Sequence, residues 1–233
     1  MDAVTLLLNR CHARIQSQHY DAALADATVV LEMSQHNPPE KALFRAARAL
    51  YGLQRWRECL SYLNQLISLY PSNKFAEQDI ARCQNRLREE AGDYDLASLL
   101  AEAITKSPSP DMDRATYVGP IEVRDCAIKS HGRGIFTTRA LKAGDLLLCE
   151  KAFAAVFVPT DKEYETFKRE NRDRSDGENM KFFSLKMRAH LVEKTLLKLH
   201  RNMSLTEGFS ELYAGPEWKD EIDDESGFPL VDE

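Results

Sequence analysis

The sequence predicts an α+β protein, in which an N-terminal all-α module of helical-hairpin repeats precedes a small β-rich segment and a helical insert. Two patterns predict this class. From residue 4 to residue 106, apolar side chains recur every three or four positions, as they do on one face of a helix. After residue 117, short β-rich runs alternate with glycine-containing turns. We therefore divide the chain into a helical module, a linker, a β-rich segment, a helical insert and an acidic tail, at residues 1–106, 107–118, 119–158, 159–216 and 217–233.

The helical module contains two self-similar segments, residues 9–33 and 45–69, which superpose at an offset of 36 residues. In this register Tyr20 aligns with Trp56. We expect each unit to be a helical hairpin, in which small residues let the two helices approach and the aromatic ring fills the gap at the turn. Hairpins of this kind must stack, because none can bury its apolar face alone. Residues 74–103 are predicted to form a degenerate third unit or capping helices.

This repeat resembles the tetratricopeptide repeat (TPR), whose period is 34 residues, with two extra residues at the turn that contains Pro38 and Pro39. The resemblance implies a concave face that binds a protein or peptide partner. Asn9, Lys41 and Arg45 stand where TPR adaptors of chaperones hold the C-terminal carboxylate of a peptide. An amide and two cations suit that role, because they supply charge-assisted donors. The alternative is that these side chains form an ordinary solvated face.

The β-rich segment carries the string Gly132-Arg133-Gly134-Ile135-Phe136-Thr137-Thr138, followed by Leu141-Lys142-Ala143-Gly144 and Glu150. This string resembles the opening of a SET domain, and its position after TPR-like repeats is similar to that in fungal TPR-and-SET proteins. The resemblance implies a protein-lysine methyltransferase that uses S-adenosylmethionine. It also implies that the main chain at Gly132 and Gly134 approaches the cofactor closely, because glycine lacks a Cβ atom. By the same resemblance, His131 and Arg133 would shape the rim of the cofactor pocket. The alternative is a β-turn whose glycines serve geometry alone.

Other cofactor and metal motifs fail at specific positions. A dinucleotide-binding fingerprint would need a third glycine where Thr137 lies, and no P-loop pattern occurs. The five cysteines form no C-x-x-C pair, and the histidines are scattered, so we predict no metal site. The cysteine pattern also indicates a reducing intracellular compartment, either cytoplasm or nucleus.

Charge and hydropathy restrict the classes of partner. The formal net charge is −6, and the acidic tail alone carries −7, from eight acids and one lysine. The rest of the chain is therefore about neutral, and no basic face indicates nucleic-acid binding. No apolar run approaches the roughly 20 residues that a membrane-spanning helix needs. We therefore expect a protein or peptide partner, and neither nucleic acid nor membrane.

The resembled family implies a catalytic segment that this sequence does not show. That segment has an Asn-His-Ser-Cys core and a downstream tyrosine, whereas no Asn-His or Ser-Cys pair occurs here. No cysteine follows Cys149 to build a post-SET zinc site. We therefore expect the cofactor-side and docking portion of a methyltransferase, truncated before its catalytic half, with weak or no S-adenosylmethionine binding and no catalytic residue. The alternative is a non-catalytic TPR scaffold with an inert SET remnant.

Overall fold

The structure, a computed structural model, describes residues 2–34, 36–106, 112–126, 132–157 and 161–210. These residues form nine α-helices, one short 3-10 helix and four short strands. The helical repeats come first and the strands follow, which confirms the predicted α+β class at that level. The helices of the N-terminal part are α1 (Ala3–Gln16), α2 (Tyr20–Met33), α3 (Glu40–Gly52), α4 (Trp56–Leu69), α5 (Lys74–Glu90) and α6 (Leu96–Thr105).

The predicted repeat is visible in the helix boundaries. α2 begins at Tyr20 and α4 at Trp56, which is the predicted offset of 36 residues, and each contains 14 residues. The turns before them hold Gln18 and Gln54 at φ of 62° and 60°. In both turns, the next amide donates to the carbonyl oxygen five residues earlier, at 2.8 Å and 2.9 Å. This left-handed cap ends a helix and reverses the chain, so the two hairpins repeat in backbone conformation as well as in sequence.

The core of the helical module lies between consecutive hairpins. Ala23 and Ala46 are fully buried, and such small side chains let the helices approach closely. Trp56 is 5% exposed, and its ring meets the Tyr51 ring edge-on at 4.7 Å between centroids. Larger fully buried side chains complete the core, and they include Leu43, Leu50, Leu63 and Leu66. All five cysteines are free thiols, and the buried ones are Cys11, Cys59 and Cys83.

Gly52, the last residue of α3, lets the first two hairpins meet. A Cβ atom at this position would lie 2.4–2.5 Å from three atoms of the Tyr20 ring. We expect Gly52→Ala to lower the free energy of unfolding by about 1–3 kcal/mol, because the packed ring has to move. The matched control is Gly177→Ala in the long C-terminal helix, where, apart from the backbone of its own helix, an added Cβ would have no heavy atom of the described residues within 4 Å. Denaturant unfolding followed by circular dichroism compares the two, and equal effects would contradict this packing role.

Two small antiparallel sheets follow the helical module. The strands are β1 (Tyr117–Val118), β2 (Ile121–Asp125), β3 (Arg133–Thr137) and β4 (Leu148–Cys149). β1 pairs with β4, and β2 pairs with β3. Val123 and Ile135 face each other across the second pair and are 64% and 63% exposed. One apolar face of this hairpin is therefore left uncovered by the residues that the structure describes.

The described part of the region predicted as a helical insert, residues 161–210, contains two packed helices followed by two short helical segments. Its elements are α7 (Asp161–Glu170), α8 (Asp176–Arg201), the 3-10 helix (Met203–Leu205) and α9 (Thr206–Ser210). The Phe167 ring packs against the rings of Phe182 and Phe183, with centroids 6.0 Å and 5.2 Å apart. These contacts hold α7 against α8. The predicted acidic tail, residues 217–233, lies outside the described residues.

The C-terminal end of α8 returns to the first hairpin. Asn202 is 2% exposed, accepts a hydrogen bond from the Tyr20 amide at 2.7 Å and donates one to the Gln18 carbonyl oxygen at 2.9 Å. The Ser204 amide and hydroxyl both donate to the Asp21 carboxylate, at 2.9 Å and 2.7 Å. Asn202 thus satisfies an amide at the start of α2 that has no intrahelical acceptor. The insert is thereby fastened to the helical module.

Candidate functional site

The three residues predicted to bind a peptide lie on two neighbouring helices. Asn9 is exposed on α1, Lys41 is exposed in the first turn of α3, and Arg45 follows one turn later. The Arg45 guanidinium donates a hydrogen bond to the Leu8 carbonyl oxygen, next to Asn9. This bond ties α1 to α3, so the fold itself uses part of the donor capacity of Arg45.

A second group of polar side chains lies further along α3 and on the facing part of α5, and it was not predicted from the sequence. A cavity of about 200 Å³ has Arg48 and Tyr51 of α3 and Asp79 and Arg82 of α5 among its lining side chains. Asp79 pairs with Arg48 at 3.3 Å and with Arg82 at 3.2 Å. Arg48 follows Arg45 by three positions and therefore shares its helix face. This three-residue spacing in the sequence could have indicated that Arg48 extends the polar face of Lys41 and Arg45.

The carboxylate of Asp113 reaches this polar set from the linker. It accepts hydrogen bonds from the Tyr51 hydroxyl at 2.7 Å and from Arg82 at 2.9 Å, and Arg86 lies 3.6 Å away. Burial opposes ionisation of Asp113, but these hydrogen bonds and cations outweigh it and lower the pKa of Asp113. Burial and the hydrogen bond to Asp113 raise the pKa of Tyr51. At neutral pH an ionised carboxylate therefore meets a neutral phenol and two guanidinium groups.

A buried ion cluster fixes the linker beside this carboxylate. Arg86 and Glu89 are 5% and 7% exposed, and their side chains join at 2.8 Å. Glu89 also accepts hydrogen bonds from the Arg114 guanidinium at 3.1 Å and from the Ala115 amide at 2.9 Å. The Ala115 carbonyl oxygen in turn accepts a hydrogen bond from Tyr94. This part of the linker is therefore packed against α5 by specific polar contacts.

The predicted cofactor turn lies where the β2–β3 hairpin enters β3. His131 falls outside the described residues, and Arg133 is exposed at the start of β3. Gly132 has φ of +62°, which favours glycine, and no heavy atom of the described residues lies within 4 Å of an added Cβ. Its carbonyl oxygen accepts a hydrogen bond from the Cys126 amide at 2.8 Å. Among the described residues, nothing therefore packs against Gly132 on the side where a Cβ atom would stand.

Gly134 is explained by packing within the hairpin. A Cβ atom there would lie 3.0 Å from the Cys126 sulfur and 3.2 Å from the Phe136 ring. The Arg124 guanidinium covers the same ring at 3.9 Å from its centroid. The two glycines lie in one sequence motif, but the structure requires glycine at each for a different physical reason: backbone conformation at Gly132 and close packing at Gly134. Of the two, Gly132 is the one at which an added Cβ would have no heavy atom of the described residues within 4 Å.

The arrangement is suited to binding. The donor groups of Asn9, Lys41 and Arg45 are of the kind that holds a carboxylate, and the turn at Gly132 is of the kind that lets a ligand approach the main chain. Over the described ranges, no cluster of three or more His, Cys, Asp or Glu side chains could hold a metal ion. Within those same ranges, no helix is both long enough and apolar enough to cross a membrane.

Comparison with known proteins shows two kinds of similarity. A protein of Gibberella zeae named methyltransferase is 32% identical over 231 residues, which are 97% of this chain and 30% of that protein. The human and mouse proteins named peptidyl-prolyl cis-trans isomerase FKBP4 are 32% and 33% identical over 85 residues, which are 36% of this chain and 18% of each isomerase. No protein-family model matches the chain. The chain is thus similar along nearly its whole length to a protein named methyltransferase, and it spans 30% of that relative.

Proposed function

We propose that this chain is part of a SET-type protein-lysine methyltransferase that uses S-adenosylmethionine, and that its TPR-like helical repeats bind a protein partner. The observation that carries the proposal is the 32% identity with a protein named methyltransferase across 97% of this chain. The glycine string at residues 132–134 and the stacked hairpins before it support the same assignment. Because the chain spans 30% of that relative, the activity of the whole protein is part of this proposal.

The contribution of this chain to the reaction is binding. When bound, S-adenosylmethionine would supply an electrophilic methyl group on its sulfonium sulfur; transfer to a neutral lysine ε-amine would break that carbon–sulfur bond, release S-adenosylhomocysteine and free one proton. No heavy atom of the described residues lies within 4 Å of an added Cβ at Gly132, and this fits a ligand that approaches the main chain, because any side chain there would stand in its way. We assign His131 and Arg133 to the rim of the pocket, and we assign no residue of this chain to the chemical step.

We expect residues 1–233 to bind S-adenosylmethionine with a dissociation constant of about 1 mM or higher and to transfer no methyl group. A ligand held at one turn leaves most of its surface in water, whereas small-molecule sites normally bury most of it. An NMR titration of the labelled chain measures the binding, and radiolabelled methyl transfer to a lysine-rich protein measures turnover. The amide signals that shift should include Gly132 and Gly134.

The matched variants for this test are Gly132→Ala and Gly144→Ala. Both glycines have positive φ, +62° and +94°, and at neither would an added Cβ have a heavy atom of the described residues within 4 Å. Only Gly132→Ala should abolish the shifts at the turn. Micromolar affinity or robust turnover would contradict the expectation that residues 1–233 hold the cofactor at this one turn. If S-adenosylmethionine shifted amide signals elsewhere in the chain and left those of Gly132 and Gly134 unchanged, the assignment of this turn to the cofactor would be contradicted.

A second candidate function is a non-catalytic scaffold that binds a protein through the helical repeats. The similarity to FKBP4 over 85 residues favours it, because this chain then shares sequence with two proteins whose names denote different reactions. A shared stretch of that kind is typical of a binding module. Asn9, Lys41 and Arg45 would hold the C-terminal carboxylate of the partner in this case.

We expect an acidic peptide with a free C-terminus to bind more tightly than its C-terminal amide, and Lys41→Ala plus Arg45→Ala to weaken that binding by about a hundredfold or more. Each charge-assisted hydrogen bond contributes about 1.5–3 kcal/mol. Lys41→Ala alone is the cleaner variant, because Arg45 also donates to the Leu8 carbonyl oxygen. Arg57→Ala, which removes an 84% exposed cation from α4, is the control. Fluorescence anisotropy measures the affinities, and equal affinity for the free and amidated peptides would rule out a carboxylate clamp.

A further inference from the structure

The linker places an acidic side chain in a set of donors suited to a partner's carboxylate. Asp113 accepts hydrogen bonds from Tyr51 on α3 at 2.7 Å and from Arg82 on α5 at 2.9 Å, and Arg86 lies 3.6 Å away. A hydroxyl and two guanidinium groups around one carboxylate provide charge-assisted recognition of that group. These donors come from two different helices of the repeat module, so the folded module creates the set.

The carboxylate of Asp113 is held in a way that permits another carboxylate to replace it. Its side chain is 46% exposed and that of Arg82 is 50% exposed, whereas that of Glu89 in the neighbouring ion cluster is 9% exposed. Ion pairs in contact with water contribute little to stability, so a competing carboxylate can replace Asp113. Ala115 is bound separately to Glu89. The linker can therefore give up the contact of Asp113 without leaving α5.

A cavity beside Asp113 offers room for a second side chain. Tyr51 and Arg82 contact Asp113 and also line this cavity, whose volume is about 200 Å³. Its apolar lining includes Ile15, Ala47 and Leu63. A short peptide could therefore place a carboxylate against Tyr51 and Arg82 and a neighbouring apolar side chain in the cavity.

We propose that Tyr51, Arg82 and Arg86 form a carboxylate-binding site which Asp113 fills as an internal ligand, and that an acidic side chain beside an apolar residue in a partner peptide competes for it. This competition rests on the proposed function, since it requires that the helical repeats bind a protein partner. The internal carboxylate lowers the apparent affinity for such a peptide, because only the fraction of molecules with an open site can bind. Asp113 of the linker thereby determines how tightly this carboxylate-binding site binds a partner peptide.

The probe is acetyl-Leu-Asp-Leu-amide, which has one carboxylate, titrated into the full chain and followed by NMR. We expect Asp113→Ala to bind it about tenfold more tightly than the wild type, because the internal competitor is gone. Adding Tyr51→Phe, which removes only the hydroxyl, should weaken the binding again by about tenfold. The matched probe acetyl-Leu-Asn-Leu-amide should bind Asp113→Ala at least about tenfold more weakly than the Asp probe. Thermal melting by circular dichroism verifies that each variant is folded.

Each contrary result overturns a defined part of the inference. Equal affinity of the Asp probe for the wild type and Asp113→Ala would overturn internal occupancy. Equal affinity of the Asp and Asn probes would overturn carboxylate recognition, and no binding to Asp113→Ala would overturn the site. The proposed function is separable, because a free C-terminal peptide that binds through Lys41 regardless of Asp113 would support a partner-binding role while overturning this competition.

Discussion

Replacing Glu89 by alanine is expected to lower the free energy of unfolding by about 3–5 kcal/mol, because it breaks a buried ion pair by removing one partner. Arg86 is 5% exposed and would lose its bond at 2.8 Å, which leaves Asp113 at 3.6 Å as a more distant carboxylate. The Arg114 guanidinium and the Ala115 amide would lose the same acceptor. Glu89→Gln retains an acceptor without the charge, so its effect should be smaller.

Glu90→Ala is the matched control for this prediction. Glu90 is the next residue of α5, and it pairs with Arg57 at 3.5 Å where the two side chains are 41% and 84% exposed. Its removal should change the free energy of unfolding by less than about 0.5 kcal/mol. Urea unfolding followed by circular dichroism measures both variants. Similar small effects for Glu89→Ala and Glu90→Ala would show that the Arg86 charge is readily hydrated, contrary to its burial here.

Trp56→Ala is expected to lower the free energy of unfolding by about 3–5 kcal/mol, the range for deleting a buried aromatic side chain. The ring is 5% exposed at the start of α4 and contacts the edge of Tyr51. It belongs to the core cluster that contains Leu43 and Leu63. Its removal would leave a cavity between packed hairpins that the surrounding helices can close only in part.

Phe75→Ala is the control, since it truncates an aromatic side chain that is 65% exposed on α5. Its contact with Phe44, at 6.4 Å between ring centroids, limits the expected loss to about 0.5–1.5 kcal/mol. Denaturant unfolding measured by circular dichroism compares the variants. A loss for Trp56→Ala no larger than that for Phe75→Ala would contradict the role of the tryptophan as a core residue between hairpins.

The repeat could be predicted because its determinants are local. Apolar spacing and the alignment of Tyr20 with Trp56 predicted hairpins at an offset of 36 residues, and α2 and α4 begin at those two residues. The left-handed turns at Gln18 and Gln54 carried no such signal, since glycine and asparagine are the usual residues there. Their conformation follows from the reversal that the packed hairpins require.

The polar surface around α3 could be predicted from the sequence only in part. Helical spacing placed Lys41 and Arg45 on one face, but it could not show that Arg45 donates to Leu8, which lies 37 positions away. Nor could it show that Asp113 meets Tyr51 across 62 positions. Such contacts depend on which helices pack together and on where the linker crosses them, and spacing within one helix does not contain that information.

The local patterns of this chain were sufficient for the helical hairpins, their offset and the presence of a glycine turn, because periodicity and backbone conformation are decided within a few residues. The tertiary structure alone decided the polar partners. It brought Asn202 to Tyr20 across 182 positions and Glu89 to Ala115 across 26. It also distinguished Gly134, which Cys126 and Phe136 crowd, from Gly132, whose added Cβ would meet no heavy atom of the described residues within 4 Å. Hydrogen bonds and close contacts between distant residues form only once the elements that carry them have packed.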